Sequence, residues 1–295
     1  MNIYRGILDT SDSSLTFSDM FIDLSCNNPK GVTQEERFKD IISDPSNLLI
    51  PRVAHAGTVD GRCVYLHNGI AVIKDCYYGS FSDILQINGG CHEPSEERLF
   101  AMVLPLIPEG GVMIELGSYW AFYTIWFNTQ VKNARNFCIE PEQASLECGE
   151  LNCSINKVSA DFTEAFIGKN HLNLSDFVKE KHIEYIDILH SDIQGYELEM
   201  LSDITDLLDH AKIRYLFIST HSDELHHACI SLLEEHNYRI IAKADFETET
   251  FCHDGIILAC HKSNIDIPPV SLGNRKHTPL RSSPYNNYAG TSRTL

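Results

Sequence analysis

From Val112 to His261 the chain alternates short apolar runs with longer stretches whose apolar positions recur at helical spacing. That alternation suits βαβ units, in which a strand covered on both faces reads as an unbroken apolar run and each crossover helix shows one apolar stripe. The runs predict strands over 112–116, 136–139, 158–160, 185–189, 214–219, 238–242 and 255–261. Between them Ala144, Cys148 and Leu151 fall at i, i+4 and i+7, and Leu225, Cys229, Leu232 and Leu233 make a second stripe. Only the polar segment 245–253 separates the last two runs, which predicts a hairpin at the end of the sheet. The expected fold class is α/β, with a seven-stranded, mostly parallel sheet and helices on both faces.

Upstream the rhythm is different. Two apolar runs, 63–66 and 70–73, flank His67-Asn68-Gly69, and Asn-Gly between such runs signals a hairpin. A helix is expected over 34–42, and another from Pro94 to Leu106 with proline and acids in its first turn. Residues 1–90 thus read as an N-terminal cap with a β-hairpin, 91–262 as the sheet domain, and 263–295 as a polar C-terminal tail expected to be mobile.

Among 295 residues, 23 Lys and Arg face 41 Asp and Glu, a formal net charge of −18 at pH 7. Phosphate binding relies on excess base, so nucleic acid is not expected as a partner. No apolar run approaches the roughly 20 residues of a bilayer span, so no membrane partner is expected either. The first residues show no signal-peptide core. Ten cysteines, scattered from Cys26 to Cys260 without a CxxC pair, suggest reduced thiols in a cytoplasmic setting, with neither disulfides nor a cysteine metal site.

Ligands of an open α/β sheet bind beyond the carboxyl ends of its strands, at the switch point. The first expected strand leaves through Glu115-Leu116-Gly117-Ser118-Tyr119-Trp120-Ala121. Gly117 permits a tight turn and a close ligand approach. The second ends in Glu140, 23 residues after Gly117, where an acid can accept hydrogen bonds from both hydroxyls of a ribose. A dinucleotide would need G-x-G-x-x-G, yet Tyr119 and Trp120 stand where its pyrophosphate would lie and Glu115 would repel it. S-adenosyl-L-methionine suits the segment better, because it has a nucleoside and a cationic sulfonium but no phosphate, and carboxylates and aromatic faces favour a cation.

These segments resemble the FkbM-type S-adenosylmethionine-dependent methyltransferases. The resemblance lies in Met113–Tyr123, in Cys138-Ile139-Glu140-Pro141-Glu142, and most specifically in Asp187–Leu198 with its Asp192-Ile193-Gln194-Gly195-Tyr196-Glu197 core. Ile218–Ser222 and His92-Glu93-Pro94 look like features of one subgroup, and the whole covers roughly residues 63–262. It implies the class I Rossmann-like fold, with cofactor contacts from Glu96, Glu115, Gly117, Tyr119, Tyr123, Thr124, Glu140 and Asp192. Asp161 and Phe162 would reach the adenine after the third strand. Where the family usually has a second glycine this chain has Ala121, which implies a slightly wider helix start or a slightly raised cofactor.

A hydroxyl acceptor gains from a base or a metal ion beside it. Asp192 and His221, at the exits of the fourth and fifth strands, are the candidate catalytic pair, as base, ligand or cofactor contact. A divalent metal is left open. His190 points to the side of Asp192 but equally suits a satisfied core histidine. Glu197 suits a first-turn helix acid, and His226 with His227 a solvated or capping pair. The expected activity is O-methylation of a small-molecule, sugar or natural-product hydroxyl. A NAD-dependent oxidoreductase, a non-catalytic nucleoside binder and a metal-dependent hydrolase are the alternatives. The cap would shape the acceptor pocket or a homodimer contact.

Overall fold

The structure, a computed structural model, describes residues 33–168, 171–252 and 254–278. The cap begins with helix α1 (Gln34–Ser43), which is fixed by a capping box. Thr33 accepts from the Glu36 N–H, and Glu36 accepts from Thr33 in return. Strands β1 (Val59–Asp60), β2 (Cys63–Tyr65) and β3 (Ala71–Ile73) form a separate antiparallel sheet. Helices α2 (Asp83–Ile87) and α3 (Pro94–Val103) lead out of it.

The main domain follows as β4 (Val112–Leu116), α4 (Phe122–Gln130), β5 (Arg135–Glu140), α5 (Gln143–Ile155), β6 (Asp161–Glu164) and α6 (Leu174–Glu180). It continues as β7 (Ile186–Ser191), α7 (Glu197–Asp203), α8 (Thr205–Asp209), β8 (Ile213–Thr220), α9 (Asp223–Glu235), β9 (Tyr238–Ala244) and β10 (Gly255–His261). The seven strands lie in the order β6-β5-β4-β7-β8-β10-β9, parallel except for β10, which is antiparallel to both neighbours. Alternate residues feed two cores. Met113, Cys138, Ile188 and Phe217 face the cap side, whereas Ile114, Ile139, Leu189 and Leu216 face α6 to α9.

The expected seven-stranded α/β sheet is present, with one displaced element. The third strand runs over Asp161–Glu164 rather than 158–160, because the Val158 N–H turns back to the Cys153 carbonyl and closes the end of α5. The cap docks on the same helix. The Asn152 and Asn156 side-chain oxygens accept from the Ile73 and Ala71 N–H groups, satisfying an edge strand that has no further partner in its sheet.

The expectation that the cysteines remain unpaired fails at one place, where Cys76 and Cys148 form a disulfide. They are 72 residues apart in sequence, and only the packing of the cap on α5 brings them together. Part of the tail is also held. Val270 N–H donates to the Ile241 carbonyl, and Arg275 pairs with Asp40 at 3.3 Å. Tail residues 279–295 lie outside the described residues, as does the start of the chain. Among the described residues no helix is long and apolar enough to cross a membrane.

Candidate active site

Strand β4 lies inside the sheet, with β5 on one side and β7 on the other, so the switch point lies at its exit. Gly117 turns there at φ +70°, and a Cβ on it would run into the Asp192 carbonyl. The exits of β4 and β7 therefore touch because this residue is glycine. Ala121 takes φ +61° itself and opens α4, so the turn usually made by a second glycine survives with a methyl side chain. Glu115 points into the sheet face and accepts from the Thr124 N–H at 2.9 Å, at the start of α4. Burial pushes its pKa up to about 7.

Tyr119 and Trp120 lie beneath the cap. The Tyr119 hydroxyl donates to the Cys76 carbonyl and accepts from the Tyr78 N–H, while Trp120 is buried and stacks on Tyr77 at 4.8 Å between ring centroids. Glu140, at the end of β5, accepts from the N–H groups of Tyr119 at 2.9 Å and Glu142 at 3.0 Å. Those bonds orient the carboxylate and leave lone pairs for a ligand, although burial raises its pKa. Asp161 is paired in register with Phe137, three residues before the end of β6, and bonds Lys181 at 2.7 Å. Phe162 packs towards Gly149 of α5. Asp161 thus stands at the start of β6, short of its exit, whereas the Phe162 ring lies beside the Tyr119–Ala121 turn.

A polar seam crosses the cap-side face of the sheet. Glu115 and His190 are register partners, and Glu96 from α3 meets His190 Nε2 at 2.8 Å and the Ser219 hydroxyl at 3.2 Å. Burial disfavours the His190 charge, but the bond to Glu96 more than offsets it and raises the pKa. The Tyr123 ring lies over His190, 4.2 Å away, and its hydroxyl donates to Glu93 at 2.8 Å. Glu93 is part-buried, and its desolvation pushes its pKa up to about 8 against the pull of His92. The Thr124 hydroxyl instead faces Cys138 in the core.

Two residues beyond His190 and Ser219, on the same side, stand Asp192 and His221. His221 Nε2 is 3.2 Å from Asp192 and 3.5 Å from Asp254, and Nδ1 is 2.9 Å from the fully buried Glu197. Burial works against the His221 charge, but its contacts with Asp192 and then Glu197 hold its pKa at about 11. Asp192 is lowered, because its bond with His221 outweighs its burial. The pair expected from the sequence is thus brought together, and Glu197 joins it. Asp254 was missed by sequence reasoning. Its signal was there, because an antiparallel strand starting at Gly255 presents its first residues at the rim where the parallel strands end.

His226 is buried and bonds the Thr220 hydroxyl, and burial lowers its pKa to about 4, so it is a neutral core group. His227 is exposed and bonds the Asp223 carbonyl. Among the described residues no three His, Cys, Asp or Glu side chains are grouped so as to hold a metal ion.

The strand order, with its antiparallel β10 and its acids at the switch point, defines an α/β domain of the class I methyltransferase type. The methyltransferase FkbM domain profile matches residues 128–240, so the chain carries that domain from within α4 to within β9. The match includes Glu140, Asp192 and His221, and leaves out Gly117 and Asp254. The matched segment holds β5 to β8 with their connecting helices, a part of the sheet domain. No curated protein matches the sequence.

Among solved structures, precorrin-6y C5,15-methyltransferase from Geobacter metallireducens is similar at 16% identity, over 56% of this chain and 88% of its own, with a TM-score of 0.43. TrmK of M. capricolum, in complex with S-adenosyl-homocysteine, is 20% identical over 56% of this chain and 68% of its own, at 0.39. A putative rRNA methylase from Clostridium thermocellum is 10% identical over 56% and 96%, at 0.43.

Proposed function

We propose that this protein is an S-adenosylmethionine-dependent O-methyltransferase acting on a hydroxyl of a small-molecule, sugar or natural-product acceptor. The observation that carries this reading is the rim itself. Gly117 and Glu140 lie at the exits of β4 and β5, and across the switch point Asp192, His221 and Asp254 gather at the exits of β7 and β8 and the start of β10. The residues present suit the cofactor. Carboxylates that are buried (Glu115, Glu140) or part-buried (Glu93, Asp192) suit a cationic sulfonium and ammonium, and Glu140 is held at the rim by two backbone N–H donors. When bound, the cofactor supplies an electrophilic methyl group on sulfur. The chain's own part is to position the acceptor, keep the charged groups in place and take up the hydroxyl proton.

Part of that fit has a measurable consequence. Glu93 and Glu115 have pKa values pushed up to about 8 and about 7, so both hold protons near neutrality. A cation bound beside them favours their ionised forms, so S-adenosylmethionine binding is expected to release protons at neutral pH. The release should fade above about pH 9, where both groups are already ionised. Calorimetric binding heats in buffers of different ionisation enthalpy read the proton count. Equal heats, or proton uptake, would argue against cofactor contact with these acids.

Thermal unfolding tests the cofactor itself. S-adenosylmethionine or S-adenosylhomocysteine at about 100 times its dissociation constant should stabilise the protein by about 2.7 kcal/mol, and NAD should not. A shift with NAD alone would sink the reading in favour of an oxidoreductase. The proposal includes neither nucleic acid nor membrane as partner, in keeping with the acidic balance. It also includes a cytoplasmic setting, where counting free thiols on freshly isolated protein shows whether the Cys76–Cys148 pair is oxidised. A second copy of the chain contacting the cap completes it.

A further inference from the structure

Strand β10 runs antiparallel to β8, with Gly255 opposite Thr220. Extending that register by one residue puts Asp254 opposite His221. A carboxylate thus arrives at the acceptor side of the rim from a chain direction opposite to that of Asp192 and His221. His221 has carboxylates at both ring nitrogens, Glu197 at Nδ1 and Asp192 with Asp254 at Nε2. An imidazole placed so is held as imidazolium, with Nδ1 hydrogen-bonded to Glu197 and Nε2 paired electrostatically with Asp192 and Asp254, so it has no lone pair to receive a proton. The two aspartates differ. The Asp192 carboxylate contacts His221 and also accepts from the Gln194 amide at 3.0 Å, contacts that stabilise its anion. Asp254 has the longer contact with His221, 3.5 Å, and its side chain is partly exposed, as is that of Asp192, so a proton taken up here can leave to solvent.

We infer that Asp254 is the proton acceptor for the acceptor hydroxyl, with His221 and Glu197 as positioning residues that fix it against Asp192. This inference rests on the O-methyltransferase reading. As the acceptor oxygen bonds to the methyl carbon, the carbon–sulfur pair stays on sulfur, the O–H bond breaks, and its proton passes to an Asp254 carboxylate oxygen and then to solvent. The charged groups facing Asp254 are His221 from the exit of β8, Asp192 from that of β7, Arg37 of α1 and Glu96 of α3. Tyr77, Tyr78 and Cys252 face it as well. Burial is the largest influence and carries its pKa up to about 6, with His221 opposing. It is therefore ionised at neutral pH yet more basic than an ordinary aspartate, the condition in which a general base works best.

The decisive experiment follows carboxyl carbons and histidine ring protons by NMR across pH 5–9, on the protein saturated with S-adenosylhomocysteine. One aspartate signal should titrate near pH 6 and vanish in Asp254→Asn, while the His221 ring stays protonated throughout. A His221 ring that loses its proton within that range, or a near-neutral signal that survives in Asp254→Asn and vanishes in Asp192→Asn, overturns the inference. The second arm measures methyl transfer from S-adenosylmethionine to a panel of monosaccharides and phenols. Asp254→Asn should lower kcat by about 10²–10⁴-fold with little change in KM, and should abolish the rise in rate through pH 6. Unchanged kcat with the rise intact overturns it. Thermal shifts with S-adenosylmethionine should be the same in wild type and Asp254→Asn. A wild type without any shift refutes the methyltransferase reading itself, a failure distinct from loss of the Asp254 assignment.

Discussion

Replacing Glu97 by alanine is expected to cost about 3–5 kcal/mol of folding stability, because it removes the central anion of a buried charge network and strands its partners. Glu97 is fully buried. One carboxylate oxygen lies 2.7 Å from His92 Nδ1 and accepts the N–H groups of His92 and Glu93, and the other lies 2.8 Å from His67 Nε2. It therefore ties α3 both to the entry of its own helix and to the cap hairpin. Burial alone would raise the Glu97 pKa, but His92 and His67 hold it well below the ordinary value of 4.5. For His92, burial acts downward but Glu93 and Glu97 raise the pKa above 6.5.

The pH dependence follows from those directions. The Glu97 contribution is fully present above 4.5 and is lost as pH falls through its depressed folded value. The His92 contribution is fully present below 6.5 and is lost as pH rises through its raised folded value. The network is thus strongest from mildly acidic to neutral pH. Urea unfolding of wild type and Glu97→Ala between about pH 3 and 8 should show the gap between them widest from 4.5 to 6.5 and narrowing on either side. A gap independent of pH, or below about 1 kcal/mol, would mean that the network contributes packing only.

Gly117→Ala should lower stability by about 2–4 kcal/mol, from left-handed strain together with overpacking. Its φ of +70° is one that alanine adopts at a cost, and the added methyl meets the Asp192 backbone carbonyl, which cannot swing aside as a flexible side chain would. Relief requires the exits of β4 and β7 to separate, and Asp192 moves with the second of them. Affinity for S-adenosylmethionine should therefore fall by about tenfold or more alongside stability, a loss of at least about 1.4 kcal/mol of binding. Denaturant midpoints and binding calorimetry on the same preparation test both. A variant that unfolds at the wild-type midpoint would show that the two exits are not in contact. Ala121 sharpens the contrast. At φ +61° it already bears the conformational cost, so Ala121→Gly should be neutral or slightly stabilising.

The sheet was readable in the chain because each buried strand had to be apolar along its length. Val112–Leu116 and Gly255–His261 coincide with their apolar runs to the residue. Val158 and Ala160 misled, because an apolar pair can finish a helix as well as start a strand. The rim residues Glu140, Asp192 and His221 were legible because parallel strands deliver their last residues to one edge. Asp254 obeys the reverse rule, for the single antiparallel strand. Glu96, expected at the cofactor, spans His190 and Ser219, which belong to two strands far from it in sequence.

Sequence alone determined the α/β class, the switch point, the glycine turn and the acids that follow it, because local spacing and strand direction settle all of these. Only the tertiary structure decided that Cys76 meets Cys148, that Glu97 sits between two histidines, and that three carboxylates surround His221. Such contacts join segments tens of residues apart, and burial and charge at each site are set by neighbours that no stretch of local sequence contains.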